Sequence, residues 1–203
     1  WDTLTPFKPL RWALTFKALI PLMALYLIMN LVGTVYGTTW AIFSEDSFQW
    51  NGLMIGLSLG AFGVFHALAQ AFLTGPAVAR LGERWALVVG MAFEVGAMLT
   101  LAFATHGWVL FVMAPVFALG GIGMPALQSL TTRQVDADRQ GQLQGVLASL
   151  VSLASVFGPL LFSFVYYGVR GSWPGAIWLV AIGIYLLALP IMLGIGRSRP
   201  AMG

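Results

Sequence analysis

Residues 86–104 read ALVVGMAFEVGAMLTLAFA, nineteen positions with one ionisable side chain, Glu94, at the ninth. As a helix the run is about 28 Å long, close to the ~30 Å hydrocarbon core of a bilayer. Glu94 falls near its middle, where a carboxylate costs on the order of 2.5–3.5 kcal/mol on insertion scales. A group kept there against that cost faces a protein interior or a water-filled path, where it can exchange a proton. A second hydrophobic run, 53–74, holds one histidine, His66. The two residues together point towards transport.

Working outward, the whole chain has the composition of a lipid-embedded protein. Its 203 residues are 59% hydrophobic and 8% charged, far outside the range of a soluble domain. Six stretches are long enough to span, at roughly 18–42, 53–74, 86–104, 109–130, 146–167 and 176–195. No stretch alternates with the period of a barrel strand, and backbone groups in lipid must pair internally, so the spans are expected to be helices. This makes an all-α membrane protein, a bundle of six transmembrane helices, with residues 1–17 as a lead or linker and 196–203 as a tail.

Loop charge gives the orientation. Lys8, Arg11 and Lys17 precede the first span; Arg80 and Arg84 follow the second, Arg133 and Arg139 the fourth, and Arg197 and Arg199 the sixth. With six alternating spans all nine fall on one side, against Arg170 on the other, so both termini are expected in the cytoplasm. Glu45, Asp46 and His106 then face outward. Loop topology accounts for the net charge of +3 without any nucleic-acid partner. The chain has no cysteine, which excludes a disulfide, a thiolate metal site and a cysteine nucleophile. No cleavable signal is visible, because the first apolar run is too long and lacks a small-residue cleavage site. The lead from Trp1 to Trp12 reads as a linker, so the expectation is the second part of a longer protein.

Trp50, Trp108 and Trp173 fall at the expected outer boundaries and Trp12 and Trp85 at the inner ones, as interfacial aromatics do. Gly52, Gly56, Gly60 and Gly63 form a stripe on the second span, and Gly120, Gly121 and Gly123 cluster in the fourth. Both patterns predict close helix packing. Pro125 and Pro159 sit within spans and permit kinks, which occur near substrate paths and are also common in membrane helices generally.

His66 and Gln70 are four residues apart, so they share a helix face, and Thr74 continues that line. One reading is an aqueous lining with a histidine titrating near neutrality; the other is a buried pair satisfied by neighbouring helices. For Glu94 the alternatives are a coupling site whose protonation biases two conformations and a carboxyl held neutral as a structural hydrogen-bonding group. No basic residue within the spans offers Glu94 a charge partner, which favours a protonatable group over a fixed ion pair. A hydrolase reading fails. Gly56, Ser58 and Gly60 fit the G-x-S-x-G pattern, but that motif needs a strained strand-to-helix turn and here lies inside a helix. His66 is eight residues on, ~12 Å along the axis, too far to activate Ser58.

The inner segment 75–84, GPAVARLGER, resembles the G-x-x-x-D-R-x-G-R-R loop of the major facilitator superfamily. Gly75, Arg80, Gly82 and Arg84 match, while Ala79 and Glu83 depart. Ordinary positive-inside charge explains the arginines but not the glycine spacing. Further stretches carry a closer likeness: 39–43 (TWAIF), 56–59 (GLSL), 65–72 (FHALAQAF), 101–105 (LAFAT), 120–128 (GGIGMPALQ) and 140–145 (QGQLQG). On these the chain resembles the C-terminal half of the tetracycline efflux proteins, drug–proton antiporters of that superfamily. The resemblance implies one half of a twelve-helix fold in a bacterial inner membrane. The whole would export tetracycline as a divalent-cation chelate in exchange for protons, with no cofactor beyond the magnesium carried in the chelate.

The resemblance also assigns roles. It places His66 and Gln70 on the central path and Glu94 at the ninth-helix acid of the whole, where the family carries Asp, one methylene shorter. Trp40 matches near the outer end of the first span, and Asn30 and Gln128 are further candidates for lining the path. Where the family has a Gln-rich, Pro-containing seventh helix, this chain has Asn30, Thr34 and Tyr36, which leaves the substrate spectrum open. An exporter of other amphiphilic drugs and a non-transporting membrane module are the alternatives. Expected partners are the drug, protons, the lipid bilayer and an N-terminal six-helix half.

Overall fold

Every apolar segment read from the sequence folds as a helix. A computed structural model describes residue 16 and residues 18–194; the calls on Lys8, Arg11, Trp12, Lys17, Arg197, Arg199 and the tail lie outside the described residues. Helix α1 is Leu19–Phe48, α2 is Gly52–Phe72 and α3 is Thr74–Phe103. The fourth segment is α4, Trp108–Ala118, then a 3-10 turn, Leu119–Ile122, then α5, Gly123–Thr132. A short 3-10 turn, Ala137–Arg139, leads into α6, Gln140–Val169, and the last segment is α7, Ala176–Leu186, with α8, Ala188–Gly194. Five stretches are long and apolar enough to cross a membrane, and Ala176–Met192 is a shorter apolar run. The sixth span is thus divided near Leu187 rather than continuous.

The helices overrun their hydropathy windows. α1, α3 and α6 each have 30 residues, or about 45 Å, more than the ~30 Å apolar slab. Hydropathy marks where lipid is, not where helical hydrogen bonding stops. The outer connection left between the expected spans 18–42 and 53–74 therefore shrinks to 49–51. Gln49 ends α1 at φ 55, and the Asn51 side chain caps α2 by accepting from the Met54 amide at 3.0 Å. The inner connection expected at 75–85 is mostly helical, since α3 begins at Thr74 and is broken at Gly82, with φ 76 and ψ 160. A side chain is strained at that φ, which gives the motif glycine a local reason.

The core runs along α1. α1 packs most extensively on α6, at a crossing where a Cβ on Gly158 would overlap the Thr34 side chain. Trp178 of α7 is fully buried, with its ring 5.0 Å from Tyr36, 5.3 Å from Phe43 and 6.4 Å from Trp40. Trp50 corrects the belt expectation. It is buried between Phe48 and Phe111, at 5.4 and 5.5 Å, and lies over Gly107. Trp85, Trp108 and Trp173 are exposed as expected. The α2 glycine stripe also departs from expectation: nothing lies within 4 Å of a Cβ built on Gly52, Gly56, Gly60 or Gly63. Tight packing occurs instead at Gly90, where a Cβ would run into the Gly123 backbone.

Candidate functional site: a cavity among the first four spans

The fourth segment is shaped by two prolines. Pro115 lies in α4, and Pro125 is the third residue of α5, a place in the first helical turn where a missing N–H costs nothing. Between them the chain passes through the 3-10 turn Leu119–Ile122. In a continuous α-helix the Gly121 carbonyl would bond the amide of residue 125, but proline has none. Gln70 of α2 meets the deficit, its Nε2 donating to the Gly121 carbonyl at 2.7 Å, while Thr74 Oγ1 donates to Gln70 Oε1 at 3.1 Å. The His66, Gln70, Thr74 line expected from the spacing is real, and its lower two members brace this turn.

Two consecutive glycines of the turn touch the acid and the histidine singled out within the spans. A Cβ on Gly120 would overlap Glu94 Oε2, and one on Gly121 would overlap the His66 ring, standing 2.8 Å from its Nδ1. Side chains larger than hydrogen would push Glu94 and His66 away from the turn. The Tyr36 and Tyr185 hydroxyls lie within electrostatic reach of Glu94. Among the described residues no salt bridge to Glu94 is found. His66 packs on Phe62 with ring centroids 5.4 Å apart, and its buried Nδ1 has no hydrogen-bond partner.

Both side chains open into one cavity of about 360 Å³. α1 supplies Tyr36 and Trp40 to its wall, α2 supplies Ser58, Phe62 and His66, α3 supplies Glu94, and α4 supplies Phe111 and Phe117. Trp40 Nε1 donates to Ser58 Oγ at 3.0 Å, and Ser58 Oγ donates to the Ile55 carbonyl at 2.7 Å. Ser58 is therefore a fixed acceptor inside a continuous helix. Of the residues singled out from sequence, Trp40, His66 and Glu94 meet at the cavity and Gln70 sits beside it. Asn30 does not line it, as its Nδ2 bonds the Tyr26 carbonyl of its own helix at 2.8 Å. Gln128 is exposed and lies apart from the cavity. Sequence reasoning missed Tyr36 as the partner of Glu94 and Ser58 as the partner of Trp40, since contacts between helices leave no mark on either helix's own periodicity.

The inner loop residues lie elsewhere. Gly75 and Arg80 are exposed near the start of α3, and Glu83, the departure from the loop pattern, accepts from Ser129 Oγ and from Arg133 Nε, the latter at 2.9 Å. This ties the break at Gly82, with Arg84 beside it, to the end of α5. At the opposite end Asp46 accepts from the Tyr166 hydroxyl at 2.7 Å and from Arg170 Nη2 at 2.8 Å, joining α1 to α6.

A multi-pass helical bundle with ionisable groups in an internal cavity is the architecture of a membrane transporter, and this chain belongs to the Major Facilitator Superfamily, whose family profile matches residues 22–203. It is 49% identical over 187 residues to the tetracycline resistance protein, class C, of Escherichia coli, covering 92% of this chain and 47% of that protein. It is 46% identical over 187 residues to the class G protein of Vibrio anguillarum, covering 92% and 48%, and 37% identical over 188 residues to the class B protein of Escherichia coli, covering 93% and 47%. The chain spans about half the length of these curated relatives.

Proposed function

We propose that this chain is the C-terminal half of a proton-coupled antiporter that exports tetracycline, as its divalent-cation chelate, by alternating access. The membrane is a bacterial inner membrane, both termini are cytoplasmic, and an N-terminal six-helix half completes the path. The observation that carries the reading is the meeting of Glu94 and His66 in one cavity against consecutive glycines of the interrupted fourth span. Interrupted helices beside an intramembrane ionisable group are how transporters build sites that change shape. The similarity to tetracycline resistance proteins supports the drug, and the lack of an ion pair at Glu94 among the described residues supports its role as a proton carrier.

The chemistry follows from differential stability. Protonating Glu94 removes a charge beside Tyr36 and changes what rests on the Gly120 turn; protonating His66 adds a charge beside Gly121. Proton and drug are coupled when each favours a different conformation. In inside-out vesicles of the full-length protein with an acidic lumen, tetracycline with magnesium should release luminal protons, and tetracycline without magnesium should not. Vesicles that release protons for another drug but not for tetracycline would remove tetracycline as the substrate. Export of other amphiphilic drugs is the second reading, favoured by the aromatic, largely apolar cavity wall.

A further inference from the structure

We propose that the cavity among the first four spans is a receptor for an organic ammonium cation carrying apolar substituents. The Glu94 carboxylate neutralises the ammonium, and the rings of Tyr36, Trp40, Phe62 and Phe111 enclose the rest. The inference rests on the transport reading in taking this cavity as a working site, and it names the chemistry of what enters.

Charge decides the sign of the guest. Glu94 is the carboxylate in the wall, and no lysine or arginine lines it. A carboxylate out of water is costly unless it is paired, and its polar neighbour Tyr36 brings no counter-charge. An anion would find no fixed positive charge there. Wall chemistry decides the rest. A bare divalent cation wants about six oxygen ligands, and no group of three His, Asp or Glu side chains is gathered among the described residues. Ser58 already serves Trp40 and Ile55. Aromatic rings around a single negative charge suit an organic cation, because ring π-systems attract cations while their apolar surface takes up the substituents. A volume of about 360 Å³ is that of a small-molecule pocket. Access is also present: Phe62, Leu59, Gly33 and Gly37 at the α1–α2 rim are exposed, and Phe117, Leu101 and Leu110 at the floor are buried.

The test is calorimetric titration of the full-length protein in lipid nanodiscs with benzyltrimethylammonium and with neopentylbenzene, its uncharged isostere. The ammonium should bind about ten-fold or more tightly than the isostere. Glu94→Gln should bring the two to near-equal affinity, and Phe62→Ala, at the exposed rim, should weaken the ammonium several-fold with an unchanged melting profile. Equal affinities in the unaltered protein, or an ammonium preference that survives Glu94→Gln, would overturn the proposal. The two readings separate cleanly. Tetracycline-driven proton release without ammonium preference removes the receptor and leaves the transporter, whereas ammonium preference without tetracycline transport does the reverse.

Discussion

At the scale of single residues, Gln70 shows how a polar side chain inside a membrane helix can have a structural cause. Its amide takes the carbonyl that Pro125 leaves unpaired, and Thr74 takes its other end. A backbone carbonyl stranded without a partner costs about 1–3 kcal/mol. Gln70→Leu should therefore lower stability by about that amount, read as an earlier unfolding transition in detergent micelles. An unchanged transition would mean that the Gly121 carbonyl finds another donor. Glu94 differs, because the hydroxyl of its neighbour Tyr36 can serve either protonation state, as acceptor to a carboxyl or donor to a carboxylate.

At the scale of elements, hydropathy found every helical segment because apolar length is what a bilayer selects for, but the sixth, Ala176–Met192, is shorter than the five long enough to cross. The helix ends were not legible, since α1, α3 and α6 continue as helices through the interface, and neither was the division of the sixth span near Leu187. The site was partly legible. Glu94 and His66 stand out against apolar runs, and the spacing of His66, Gln70 and Thr74 gives their shared face. The pairing of Glu94 with Tyr36 was not, because nothing in α1 alone marks which residue faces α3. Glycine stripes misled for a related reason: spacing shows that a helix face is smooth, not that another helix lies on it. Gly56 faces open space whereas Gly90 abuts the backbone at Gly123. Gly90→Ala should cost about 1–3 kcal/mol by overpacking, while Gly56→Ala should leave the unfolding transition in place. Equal effects would contradict the packing described for α3 against the fourth segment.

At the scale of the whole molecule, polar contacts join helices at the two ends of the bundle, on either side of the cavity. Asp46 joins α1 to α6 at one end through Tyr166 and Arg170, and Glu83 joins α3 to α5 at the other through Ser129 and Arg133. Between these ends lie the cavity, the two titratable side chains and the turn with two glycines. Such an arrangement lets a local charge change bias a larger rearrangement, provided that drug and proton prefer different states. The central claim is that Glu94 carries the proton that drives export. It is tested most directly by measuring proton release and tetracycline transport together in vesicles of the full-length Glu94→Gln protein. The account predicts a folded protein that has lost drug-dependent proton release and proton-driven accumulation; near-normal proton-driven export by that variant would contradict it.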